Sequence, residues 1–139
     1  MHTEHLAVRT AVAVALAALA LLGASCGDGG APGYCSDVDD LEQSVKDLGS
    51  VDVVQGGTDA VTEAVDEVED NARSAVDAAK SDFPDETSAI SESIARLKTA
   101  TAELTDAPTA EDAARAAGAV AAVVTAVDDF VGATGSECD

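Results

Sequence analysis

Apolar residues recur three and four positions apart in four stretches of this chain, the spacing that aligns them on one face of an α-helix. Val38, Leu41, Val45 and Leu48 form the first stripe. Ser36 is its expected N-cap, Asp37, Asp39 and Asp40 suit the positive end of its dipole, and Gly49 is its stop. The second stripe, Val61, Val65, Val68, Ala72, Ala75 and Ala79, opens at Thr58 or Asp59 and closes near Pro84. The third, Ile90, Ile94, Leu97, Thr101 and Leu104, begins around Pro84 to Glu86 and ends before Pro108, because the residue before a proline avoids helical geometry. The fourth, Ala113, Ala116, Val120, Val123, Val127 and Phe130, is opened by Thr109 and Asp112 in a variant capping box and is expected to stop at Gly132.

Short links at 82–85 and 105–109 force the last three helices to run antiparallel as neighbours. The predicted fold is therefore all-α, an antiparallel up-down four-helix bundle. Val51 to Val54 is the one β-branched cluster outside the stripes and reads as a loop before Gly56-Gly57. The core residues are mostly Val, Ala, Ile and Leu, with Phe83 and Phe130 the only phenylalanines. Such small side chains bring helices close together, which argues against a large ligand cavity.

The amino-terminal 25 residues follow a different order. Met1 to Thr10 is polar with a single Arg9, Ala11 to Leu22 is unbroken apolar, and Gly23, Ala24 and Ser25 are small. That is the order of a secretory signal peptide, and the apolar run is too short for the roughly 20 residues that cross a bilayer core. Ala24-Ser25-Cys26 resembles the lipobox of bacterial lipoproteins, departing from it in having Gly23 where Leu is preferred and Leu22 one place earlier. The resemblance implies cleavage before Cys26 and a diacylglycerol on its sulfur, with further acylation such as palmitate giving a stable anchor. Cleavage without acylation would release a secreted protein instead.

The chain has three cysteines, an odd number for an oxidising compartment. If Cys26 carries lipid, Cys35 and Cys138 are left as one pair, and the up-down topology brings the start of the first helix and the end of the fourth to the same end, where they would meet. The expected organisation is thus a signal over 1–25, a flexible Gly-rich tether over 26–34 and a bundle over 35–139 closed by a terminal disulfide.

Charge narrows the function classes. With 27 acidic against 7 basic residues the formal net charge is −20, a surface that repels nucleic acid and an anionic bilayer alike. Both histidines, His2 and His5, lie in the segment expected to be removed. That leaves no histidine base, no histidine zinc site and no Glu-x-x-His di-iron set, and neither a phosphate-binding Gly-rich loop nor a Gly-x-Ser-x-Gly elbow occurs. The expectation is a protein without catalytic role, metal or cofactor. Glu63, Asp66, Glu67 and Asp70 could gather a hard cation, but the simpler reading of such a stripe is a solvated helix face.

Helix four carries no charge between Arg115 and Asp128. An outer helix of a bundle normally turns a charged face to water. Here Ala114, Gly118, Ala122 and Thr125 would form a smooth outward face, suited to a protein partner or a second copy of the chain, though alanine is also plain helical filler. Signal, tether and alanine-rich acidic body together resemble the small helical lipoproteins and secreted proteins of actinobacteria. The resemblance carries over one functional residue, Cys26 as the lipid site. The expected function is a binding or scaffolding module anchored by lipid on the extracytoplasmic face of the cell membrane; the alternative is a lipoprotein that binds cations or a small ligand.

Overall fold

A computed structural model describes residues 31–139; Cys26 and the signal expected over 1–25 lie outside the described residues. Four helices follow one another with no strand among the described residues: α1 (Cys35–Gly49), α2 (Val53–Ala79), α3 (Pro84–Asp106) and α4 (Ala110–Cys138). Each packs on its neighbours in chain order and α4 returns to α1. The result is the predicted four-helix ring, closed by a disulfide between Cys35 and Cys138, whose Cα atoms are 5.5 Å apart.

The stripes become the core. Val38, Leu41, Val45 and Leu48 from α1 are buried against Val65, Val68, Ala72, Ala75 and Ala79 of α2, Ile90, Ile94 and Leu97 of α3, and Val123, Val127 and Phe130 of α4. At the disulfide end the aromatic rings meet edge to face. Tyr34 lies 5.7 Å from Phe83, and Phe83 lies 6.1 Å from Phe130, centroid to centroid. Such pairs contribute about 0.5–1.5 kcal/mol each beyond the area they bury.

Helix lengths explain where burial thins. At about 1.5 Å per residue α1, with 15 residues, rises roughly half as far as α4, with 29. Counted up from the Cys35–Cys138 bond, Gly49 stands level with the middle of α4, so the far half of the bundle has three long helices in place of four. There Val61, Leu104 and Val120, expected in the core, are only half-buried, and Ala113 is exposed.

Several boundaries differ from the expected ones. Tyr34, not Ser36, is the N-cap of α1; Cys35 is already helical, drawn into the first turn by the disulfide and the aromatic cluster, and the Ser36 hydroxyl donates to the Gly33 carbonyl at 3.4 Å. The segment expected as a loop at 51–54 is helical from Val53, and this short first turn is separated from the main run of α2 by Gly57 at φ 65°, ψ −166°. Only glycine adopts that backbone conformation without strain, which is why the break falls there.

Gly132 does not end α4. The helix continues to Cys138 because Thr134 is buried and donates its hydroxyl to the Phe130 carbonyl at 3.0 Å, while Cys138 is tied to α1. Those tertiary ties outweigh the cost of about 1 kcal/mol for a glycine inside a helix. Other local signals hold: Pro84 occupies the first turn of α3, and the Thr109 hydroxyl accepts from the Asp112 backbone N–H at 3.1 Å while donating to the Asp112 carboxylate at 2.6 Å.

Candidate functional site

The charge-free face of α4 does not simply look outward. Gly118 and Ala122 turn toward α3 and, with Ala95, Thr99 and Ala100 of that helix, line an open groove of about 600 Å³. Nearer the disulfide end Ala122 and Thr125 line a second depression of about 340 Å³ with Ala89 and Ser93. Arg96 borders both. Of the four residues singled out from sequence, Gly118, Ala122 and Thr125 are thus brought together along the α3–α4 seam. Ala114 is exposed and lines neither depression.

Side-chain size makes the groove. A helix pair carrying mostly Gly, Ala, Ser and Thr along its outer seam leaves a channel that Leu or Lys would fill. A Cβ added at Gly118 would meet nothing within 4 Å, so the space above it is open. The groove is not an enclosed cavity, in keeping with a core built of small side chains.

Charges border it. Arg115 closes the far end, its Nη1 donating to Glu103 at 2.6 Å and to Asp112 at 2.9 Å, and its Nη2 to Glu111 at 3.3 Å. The hydrogen bond to Glu103 is the main reason its guanidinium is held above even its ordinary pKa. Arg96 pairs with Glu92 at 3.3 Å. Asp129 stands exposed at the other end, with no cation in ion-pair range among the described residues. The α3 half of the groove was missed in the sequence, although Ala95 and Thr99 stand one turn apart there and could have signalled a second small-residue face.

Elsewhere the structure offers less. Glu63, Asp66, Glu67 and Asp70 remain exposed on α2, and Asp70 leans toward Arg73 at 3.6 Å. Among the described residues no group of three or more His, Cys, Asp or Glu side chains is placed to hold a metal ion. Glu69 bridges α2 to α3 through Lys98 at 2.9 Å and also meets Arg73 at 2.9 Å; the hydrogen bond from Lys98 is the largest influence holding its carboxyl below the ordinary carboxylate range. By length and composition alone α4 could also cross a membrane. In the fold it packs on α3 and α1 and is bonded to α1 by the disulfide. No protein-family model, characterised protein or solved structure matches this chain.

Proposed function

We propose that this protein is a non-catalytic binding or scaffolding module, held by lipid on Cys26 at the extracytoplasmic face of the cell membrane, and that the α3–α4 groove is its docking face. One observation carries the docking reading: the longest charge-free helical stretch among the described residues, between Arg115 and Asp128, turns Gly118, Ala119, Ala122 and Thr125 to open depressions beside α3. The anchor reading is supported by the cysteine count, since the Cys35–Cys138 bond leaves Cys26 as the odd thiol of the chain.

Crosslinking in intact cells tests the docking face. The native chain is compared with Gly118→Phe, whose ring enters open space and leaves the core alone. A specific crosslinked partner that disappears in the variant is the expected result, and a partner profile unchanged by the variant sinks the docking face. Intact mass tests the anchor. A species equal to residues 26–139 with no acyl addition would show a secreted, not a lipidated, protein.

A further inference from the structure

We infer that the α3–α4 groove receives a basic amphipathic helix. This rests on the docking reading above and adds to it the chemistry of the occupant. The floor supplies the apolar half of the match: Ala95, Ala100, Gly118, Ala119 and Ala122 are small and uncharged, so a partner's Leu-sized side chains can enter between the two helix backbones. From Arg115 to Asp129 the seam runs fourteen residue steps, roughly 21 Å at ~1.5 Å per step, which accommodates about four turns of a second helix. An apolar stripe spaced three and four apart is the form in which a helix fills such a groove.

The rim supplies the charged half. Glu103, about half exposed, lines the groove itself; Glu92, 70% exposed, and Asp129 line the depression that continues it toward the disulfide end; and Glu111, 85% exposed, stands one turn before Arg115 as its partner. The two rim cations do not offset them. Arg115 is already shared among Glu103, Asp112 and Glu111, and Arg96 is matched by Glu92. Over both depressions and the partners of Arg115, Glu92, Glu103, Glu111, Asp112 and Asp129 stand against Arg96 and Arg115, so lysines or arginines flanking the partner's apolar stripe would meet a border that is net acidic along the whole seam. The formal charge of −20 adds long-range attraction and a faster encounter.

The same charges reject a second copy of this chain. Two bodies of −20 would bring acidic rims together with no spare cation between them. They would meet well inside the screening length of ~8 Å at physiological salt.

The test titrates the folded protein with three synthetic peptides of about 18 residues, long enough to span the seam as a helix. One is of Leu and Lys with Leu at three- and four-residue spacing, one has the same composition scrambled so that no stripe forms, and one keeps the stripe with Gln in place of Lys. The striped Leu/Lys peptide is expected to bind at least about tenfold more tightly than either of the others, a gap of ~1.4 kcal/mol. Its affinity should fall between about 50 and about 200 mM NaCl, and should drop about tenfold or more in Gly118→Phe. Ser74→Phe, on the exposed outer face of α2, should leave it unchanged. Circular dichroism of both variants checks that the bundle is intact.

Equal binding of the scrambled peptide would reduce the effect to bulk charge and overturn the inference. Equal binding of the Leu/Gln peptide would overturn the basic class of occupant, and indifference to Gly118→Phe would overturn the site. None of these results decides the docking reading itself, which stands or falls on the crosslinking comparison.

Discussion

The Tyr34 hydroxyl donates to the Glu137 carboxylate at 2.5 Å, and the residue after each of them is one half of the Cys35–Cys138 bond. A covalent and a hydrogen-bonded link therefore join the same two helix ends side by side. Tyr34 is 4% exposed and its ring also packs on Phe83.

That hydrogen bond predicts a pH dependence. Donation to Glu137, reinforced by burial and by the charges of Glu137 and Asp82, pushes the Tyr34 pKa up from 10.0 to about 12. Because the folded value is the higher one, the stabilisation is whole below the unfolded value of 10.0 and is lost as pH rises through about 12. Melting temperature followed between those values should fall in the native chain and fall less in Tyr34→Phe. This is the only tyrosine, so its ultraviolet titration reports the site directly, and an ordinary pKa would refute the expectation.

The disulfide spans a sequence separation of 103 residues. In the chain-entropy model, closing a loop of that size stabilises by about 4–5 kcal/mol, with native strain subtracting from it. Urea unfolding of Cys35→Ser/Cys138→Ser should show a loss of that order, with helical circular dichroism retained at low urea. A loss below about 1 kcal/mol would mean that the unfolded chain already holds its ends together.

Thr101 is the exception among the buried hydroxyls. Ser44, Ser93, Thr87 and Thr134 each donate to a carbonyl three or four residues earlier, whereas the Thr101 Oγ1 is buried with no partner. Leaving a buried hydroxyl unmatched costs about 1–3 kcal/mol, and an isosteric apolar replacement removes that cost. Thr101→Val should raise stability by about 1 kcal/mol. Thr134→Val, which breaks the bond to Phe130, should lower it by about 0.5–1.5 kcal/mol. Equilibrium unfolding of the two variants side by side checks the opposite signs.

The core faces of the helices, the proline start of α3, the Thr109–Asp112 cap and the pairing of Cys35 with Cys138 were legible in the sequence. Each depends on spacing along one helix or on chain order, which a sequence states directly. The continuation of α4 past Gly132, the exposure of Ala113 and the unpartnered Thr101 were not. Glycine is read locally as a stop, and only the buried Thr134 and the bonded Cys138 override it. Likewise a heptad position is read as core, and only the short α1 leaves the far half of α4 without its second neighbour.

The groove shows the same division. Periodicity established that Gly118, Ala122 and Thr125 share a side of α4, because residues three and four apart must do so. It could not say what stands beside that side, since the rotation of one helix about its axis relative to the next is set by how two side-chain surfaces interlock. Tertiary packing placed Ala95, Arg96 and Thr99 of α3 opposite them and turned a smooth helical face into a channel bordered by Arg96, Glu103 and Arg115.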